Sequence, residues 1–208
     1  MTPPVVLATN NAKKLVELRR LVEECGADVT VLGLGDLPPY PEPAETERTF
    51  VGNALLKARA CVAATGLPAL ADDSGLAVDV LNQMPGVRSA RWSGPDATDA
   101  SNNTLLLAQL DDVGDAERTA HFEAAVALVL PDGTERTTTG RMDGRLLRAP
   151  VGDNGFGYDP LFVAVGHEVT TAELAPADKD RISHRGQAVR AMVPVLVEVL
   201  TARSAEEA

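Results

Sequence analysis

The sequence predicts an α/β fold with a mixed central sheet and helices on its faces. In the first half, short apolar strands alternate with amphipathic helices, as is typical of parallel βα units. In the second half, two strand-like segments are joined at Asp132 and Gly133, a strong hairpin signal. Hydrophobic residues make up 45% of the 208 residues, enough for a sizeable core, while aromatic residues make up only 3%. Aliphatic side chains and alanine must therefore fill that core.

The elements of the first half follow from the spacing of apolar residues. Leucines at helical spacing predict a helix from Lys13 to Glu24. The segment 33–48 holds four prolines and is predicted to be a loop. Thr49 is a suitable N-cap for a second helix that ends near Gly66. The predicted strands of this half are Val5–Ala8, Val29–Leu32 and a buried strand entered through Leu67–Ala71.

The second half is predicted to contain two more helices and the hairpin. A helix is expected over Asp99–Leu110. Ser183 is a suitable cap for a last helix that runs to about Arg203, with Pro194 marking a kink or a restart inside it. The hairpin strands are predicted at Arg118–Leu130 and Glu135–Met142.

Composition and charge exclude several classes of protein. The net charge of −11 argues against a polymeric nucleic-acid partner, because such binding depends on neutralising phosphates. No run of about 18 apolar residues is present, so no membrane span is expected. The N-terminus lacks the features of a signal peptide, and we expect a cytoplasmic enzyme. Cys25 and Cys61 are interpreted as small buried apolar residues.

Two adjacent carboxylates, Asp72 and Asp73, follow an apolar run and precede Ser74 and Gly75, which favour a turn. Carboxylates at a strand end can share a divalent cation, or one can bind the metal while the other takes a proton from water. A solvent-exposed turn would carry the same residues. The pattern by itself leaves both interpretations open.

The loop after the first strand is a candidate phosphate site. Thr9, Asn10 and Asn11 form it, and Lys13 and Lys14 fall in the first helical turn, where the helix dipole disfavours positive charge. Free backbone N–H groups, a hydroxyl, amides and lysines would together suit a phosphate chain. An ordinary helix cap with solvated lysines is the alternative. The segment lacks the glycines of a Walker A loop.

A second group of polar residues surrounds the start of the second helix. Glu42, Glu45 and Glu47 lie in the preceding loop, and Asn53 and Lys57 share one helix face off the apolar stripe. A glutamate from this loop could join the aspartate pair on a cation. A solvated helix face is the alternative.

The glycine-rich segment 152–162 is a candidate for binding a planar ligand. Its glycines would let the backbone approach closely, and Phe156 or Tyr158 could stack on a base. Alternatively, these aromatic side chains fill the core. Further along, the segment "DKDRISHRGQ" adds three polar candidates that could bond carbonyl or phosphate oxygens, Lys179, His184 and Arg185.

Together these segments resemble the inosine/xanthosine triphosphate pyrophosphatase family over nearly the whole chain, from about Val5 to Leu200. The resemblance implies an elongated central sheet and two lobes around an active-site cleft, in a single domain over residues 1–208. It also implies Mg²⁺-dependent hydrolysis of ITP, dITP and XTP to the monophosphate and pyrophosphate, and a homodimer. The segments that carry it are "LATNNAKKLVEL", "AETERTFVGNALLKA", "LADDSGLAVDVLNQMPGVRSARWSG", "GFGYDP" and "SHRGQA".

The resemblance also implies roles for individual residues. Asp73 matches the proton acceptor, and Glu45, Asp72 and Asp73 match the acidic residues around the metal. Ser74 matches a substrate contact. The positions implied for the phosphates are Thr9, Asn10, Asn11, Ala12, Lys13, Lys14 and Lys57. The positions implied for the base are Phe156, Gly157, Tyr158, Asp159, Lys179, His184 and Arg185.

One departure from the family is visible at Met142 and Asp143, where many bacterial members have Trp-Pro. It leaves the packing of this strand end open and removes no catalytic group.

Overall fold

A computed structural model of the protein describes residues 4–24 and 29–206. Cys25, predicted to be a buried core residue, lies outside them. The strands in chain order are β1 (Val5–Leu7), β2 (Val31–Gly33), β3 (Ala69–Val78), β4 (Met84–Pro85), β5 (Thr119–Val129), β6 (Glu135–Leu146) and β7 (Phe162–Ala164).

These strands form one mixed sheet, as predicted. Its order is β2-β1-β3-β5-β6-β7, and β4 pairs with β3. β1 is parallel to both β2 and β3, whereas β4 is antiparallel to β3 and β7 is antiparallel to β6. β5 and β6 are sheet neighbours joined by the predicted turn at Asp132 and Gly133, where Gly133 has a φ of 87°.

The described helices are α1 (Ala12–Glu24), α2 (Phe50–Thr65), α3 (Asp99–Gln109), α4 (Pro176–Ile182) and α5 (His184–Glu206). The predicted cap of α2 is confirmed, because the Thr49 hydroxyl accepts a hydrogen bond from the Gly52 N–H at 3.0 Å. Gly66 ends this helix in the left-handed conformation. α5 runs through Pro194 without a restart. α4 was not predicted from the sequence.

The turn predicted at Ser74 and Gly75 is wrong, because β3 continues through both residues to Val78. Glycine is needed at position 75 for a different reason. A Cβ there would lie 2.5 Å from the carbonyl oxygen of Gly86, so the backbones approach too closely for a side chain. Asp72 and Asp73 therefore lie inside a strand rather than at its end.

The described residues divide into two compact units. The first contains the residues up to Asp73, Ala124–Thr139 and the residues from Arg185 onward. Its core lies where α1 and α5 pack against the strands. The residues at the centre of this core include Leu7, Leu18, Leu21, Leu70, Val126, Leu128, Val189, Met192 and Leu196.

The second unit contains Ser74–Glu123 and Gly140–His184. Its core includes Leu76, Leu106, Phe122, Tyr158, Leu161 and Phe162. Met142 belongs to this core and is 5% exposed, while the exposed Asp143 pairs with Arg141 at 2.8 Å. These contacts describe how the strand end packs around Met142 and Asp143. The single-domain organisation stays a prediction.

Within the described part of the chain, no helix has the length and apolar character required to cross a membrane.

Candidate active site

The loop between β1 and α1 is shaped by its own polar side chains. The Thr9 hydroxyl accepts a hydrogen bond from the Asn11 N–H, and the Asn11 side-chain oxygen accepts one from the Lys14 N–H, both at 3.2 Å. Asn11 thereby caps α1. The Asn10 amide donates to Glu42 at 2.7 Å. Ala12 is exposed, and the side chain of Lys13 lies outside the description.

Asp73 is held on the α2 side of β3 by two donors. The Asn53 amide donates to its Oδ2 at 3.0 Å, and the Lys57 ammonium lies 3.3 Å from its Oδ1. The same ammonium lies 3.2 Å from Glu45 Oε1. The Asn53 oxygen also accepts from the Glu47 N–H at 3.0 Å, which fixes the loop that carries Glu45.

The environment of Asp73 makes it a stronger base than an exposed aspartate. Burial raises its pKa above the usual value, and the charges of Lys57 and Lys14 only partly oppose this. For Lys57, burial disfavours the ammonium, but Asp73, Asp72 and Glu45 outweigh that effect and raise its pKa. A carboxylate with a raised pKa beside a permanently charged lysine is suited to accepting a proton from water.

Glu45 and Asp73 form a donor set that fits Mg²⁺. Both carboxylates approach the same cationic nitrogen, that of Lys57, so they face a common position where positive charge is favourable. Mg²⁺ prefers oxygen ligands and is commonly held by one or two carboxylates together with substrate phosphates. No group of three or more metal-ligating His, Cys, Asp or Glu side chains exists among the described residues.

Asp72 forms salt bridges with a different set of side chains. Successive side chains of a strand point to opposite faces of the sheet, so Asp72 shares a face with Leu70 and points toward α1 and α5. Its Oδ2 lies 2.9 Å from the Lys14 ammonium and 3.2 Å from the Arg185 Nε. Burial opposes ionisation, but the charges of Lys14, Arg185 and Lys57 outweigh it and hold the pKa of Asp72 well below its usual range.

The two adjacent carboxylates therefore differ in their hydrogen-bond and salt-bridge partners, although the charges of Lys14 and Lys57 act on both. Asp73 is the member of the pair that lies with Glu45 against the Lys57 ammonium. The metal-binding roles of Glu45, Asp72 and Asp73 stay predictions. Ser74 follows in β3 and is partly exposed.

In the second unit, Asp159 anchors the glycine-rich loop. Its Oδ2 accepts from the Phe156 N–H at 2.9 Å and from the Lys179 ammonium at 2.5 Å, and its Oδ1 accepts from the Thr171 hydroxyl at 2.8 Å. Gly155 has a φ of 76°, and a Cβ there would collide with the Asp159 carboxylate. Both oxygens of Asp159 are thus used to hold the loop.

The two aromatic residues of this loop have different surroundings. Tyr158 is buried in the core of the second unit, and its hydroxyl donates to the Ser89 carbonyl at 2.9 Å. Phe156 is only partly buried, and the Lys179 ammonium lies 5.2 Å from the centre of its ring. Phe156 is therefore the more exposed of the two aromatic side chains.

Gly157 and His184 are also fixed by neighbours within this unit. The Gly157 carbonyl accepts a hydrogen bond from the Asn103 amide at 2.9 Å. The His184 ring stacks on Phe122, with 4.8 Å between ring centres and 10° between the ring planes. The imidazole orientation is therefore set by the core.

The sequence analysis placed Asn53 on the same helix face as Lys57 but gave it no role in the site. It did not select Thr171 and Asn103, because each reaches its partner only through tertiary structure.

Comparison with known proteins places the chain in a family. Residues 5–195 match the model of the Ham1 family. The chain belongs to the Ham1 family. The resemblance found in the sequence is therefore confirmed.

Relatives of this Ham1 chain match it almost from end to end. A dITP/XTP pyrophosphatase from Nocardia farcinica is 58% identical over 193 residues, which are 92% of this chain and 94% of the relative. The crystal structure of a nucleoside-triphosphatase/dITP/XTP pyrophosphatase from Mycobacterium abscessus has a TM-score of 0.76 at 52% identity, covering 92% of this chain and 99% of that one.

A second solved structure agrees. The HAM1 protein from Coxiella burnetii has a TM-score of 0.85 at 41% identity, covering 94% of this chain and 99% of that protein. The predicted mixed α/β fold class is confirmed by these likenesses.

Proposed function

We propose that this Ham1 chain hydrolyses deaminated purine nucleoside triphosphates, namely ITP, dITP and XTP, to the monophosphate and pyrophosphate, and so cleanses the nucleotide pool. The observation that carries the proposal is Asp73, a buried carboxylate with a raised pKa held beside Lys57 and Glu45. Relatives that match more than nine-tenths of the chain are named dITP/XTP pyrophosphatases, which supports the substrate class.

The reaction begins with a proton transfer to Asp73. The Asp73 carboxylate takes a proton from a water molecule as the water oxygen bonds to the α-phosphorus. The bond from the α-phosphorus to the bridging oxygen breaks, and pyrophosphate leaves with the bonding electrons. Lys57 and Lys14 offset the negative charge that develops on the leaving group. Mg²⁺, held by Glu45 and Asp73, would neutralise phosphate charge and help to orient the water.

Base recognition is assigned to the second group of predicted residues. Hypoxanthine and xanthine carry a 6-oxo group where adenine has an amine, so donors aimed at that oxygen favour ITP and XTP over ATP. The candidate donors are Lys179, His184 and Arg185, with Phe156 as the stacking face. GTP also has the 6-oxo group, and an unpaired 2-amino group would cost it about 1–3 kcal/mol.

The remaining assignments rest on the family resemblance and on charge. We propose that the enzyme is a homodimer that acts in the cytoplasm on free nucleotides. The net charge of −11 disfavours a nucleic-acid polymer as substrate.

The proposed activity is tested by measuring pyrophosphate release from four triphosphates in the presence of Mg²⁺. We expect kcat/KM for ITP and XTP to exceed those for GTP and ATP by at least about tenfold. Phosphate should be detected only after inorganic pyrophosphatase is added. Comparable values for all four substrates would contradict the proposal, as would release of orthophosphate without the added enzyme.

Replacement of Glu45 by glutamine should raise the Mg²⁺ concentration needed for half-maximal activity by at least about tenfold, because a charged metal ligand is lost. Titrating Mg²⁺ at saturating ITP measures this. Glu42→Gln is the matched control, since Glu42 lies in the same loop but bonds to Asn10. An equal increase of the required Mg²⁺ concentration in both variants would contradict the assignment of Glu45 to the metal site.

A further inference from the structure

Asp72 joins the first turns of two helices that lie far apart in sequence. Lys14 is the third residue of α1, and Arg185 is the second residue of α5. Both cations use the same oxygen, Asp72 Oδ2. The side chains of Asp72 and Arg185 are 0% and 2% exposed, whereas that of Lys14 is 14% exposed. Lys14 is therefore the most exposed member of this triad.

The triad holds two positive charges and one negative charge in a buried position. Charges interact strongly where water is largely excluded, so the two cations compete for Asp72. The other oxygen of Asp72, Oδ1, is buried and accepts no hydrogen bond from the described residues. Arginine binds a carboxylate best when its guanidinium engages both oxygens. In the structure the Lys14 ammonium and the Arg185 Nε lie at the same oxygen, so each limits how closely the other can pair with Asp72.

We propose that Asp72 is a positioning residue that couples phosphate binding at Lys14 to base recognition at Arg185. This inference rests on the proposed function, which places Lys14 at the phosphates and Arg185 at the base. When a bound phosphate draws the Lys14 ammonium away from Asp72, Arg185 no longer competes with Lys14 for that carboxylate. Asp72 then fixes the Arg185 guanidinium in one orientation. Arg185 therefore discriminates most strongly in favour of a 6-oxo purine when a polyphosphate is bound.

The coupling has a consequence for the product. A purine monophosphate that has lost its pyrophosphate no longer draws Lys14 away, so Lys14 returns to Asp72. Arg185 is then held less firmly, and the base is bound more weakly. The same carboxylate would thus favour binding of the triphosphate and release of the monophosphate.

The inference is tested by binding, without turnover. Inosine serves as a probe of the base site and pyrophosphate as a probe of the phosphate site, with adenosine as the control base. In the unmodified protein, saturating pyrophosphate should tighten inosine binding by at least about fivefold, as expected for coupled sites. The affinity for adenosine should change by less than about twofold, because adenine lacks the 6-oxo group.

Two lysine variants separate coupling from general electrostatics. Lys14→Gln should abolish the effect of pyrophosphate on inosine, because no cation is left to be drawn from Asp72. Lys57→Gln removes the same charge from a lysine that contacts Asp73 and Glu45 instead, and should retain the effect once pyrophosphate is saturating. Asp72→Asn should also abolish the effect of pyrophosphate on inosine binding. If Asp72→Asn does not fold, the result for Lys14→Gln decides the test.

The inference is overturned if pyrophosphate fails to tighten inosine binding in the unmodified protein, whether inosine binds weakly or not at all. It is also overturned if Lys14→Gln responds as the unmodified protein does. Failure of the proposed function is a different result, namely no release of pyrophosphate from ITP. The two outcomes are measured independently.

Discussion

Replacement of Asp73 by asparagine is expected to lower kcat for ITP by at least about 100-fold while the fold remains intact. The amide is nearly isosteric with the carboxylate but cannot accept the proton of the attacking water. Steady-state kinetics at saturating ITP and Mg²⁺ measure the loss, and circular dichroism checks the fold. A kcat close to that of the unmodified enzyme would contradict the assignment of Asp73 as the proton acceptor.

The pH dependence provides a second measurement of the same group. Asp73 must be ionised to act, so kcat/KM should fall as the pH is lowered through its pKa. Burial raises the pKa of Asp73 in the metal-free protein, whereas a nearby cation favours the ionised carboxylate, so the acid limb should move to lower pH as the Mg²⁺ concentration is raised. Asn53→Ala should move the limb to higher pH, since the Asn53 amide donates to the ionised form and lowers the pKa.

Replacement of Asp72 by asparagine is expected to destabilise the protein by about 3 kcal/mol, because the buried Arg185 loses the charge of its salt-bridge partner Asp72. For a chain of this size the melting temperature should fall by roughly 10 °C. Differential scanning calorimetry measures the change. Asp115→Asn is the matched control, because it removes one charge from the exposed pair between Asp115 and Arg148. That change should cost less than about 1 kcal/mol.

The stabilisation by Asp72 should depend on pH in a defined direction. Its pKa is lowered on folding, so its contribution is fully present above the usual aspartate value of 3.8 and is lost as the pH falls below it. The difference in stability between the unmodified protein and Asp72→Asn should be constant from neutral pH to about pH 4 and should shrink in more acidic solution. A difference as small as that of Asp115→Asn at neutral pH would contradict the role of the buried pair.

Local sequence signals were sufficient for most elements of the fold. Apolar spacing, the Thr49 cap and the Asp132-Gly133 turn each gave the correct element, with ends displaced by a few residues. The misassigned element was β3, where Ser74 and Gly75 indicated a turn. Glycine favours turns but is also needed where two backbones come close, and the backbone near Gly75 belongs to residue 86. Nothing local to position 75 reveals that neighbour.

The candidate site was predicted as a set of residues, but its geometry was not. The sequence predicted Asp72 and Asp73 to act together because they are adjacent, yet their hydrogen-bond and salt-bridge partners differ. That division depends on the strand passing through both residues, which the predicted turn had obscured. The anchoring of the glycine-rich loop by Asp159 and Thr171 depends on a contact across 12 positions that no sequence pattern marks.

Successive side chains of β3 point to opposite faces of the sheet. The number of residues in this strand is therefore more critical than the identity of its apolar residues. Inserting or deleting a single residue ahead of Asp72 would turn each carboxylate toward the other's partners, although both would still be present. Asp73 would then meet Lys14 and Arg185, and Asp72 would meet Asn53 and Lys57. Evolution and protein engineering can therefore vary the apolar residues of this strand more freely than they can vary its number of residues.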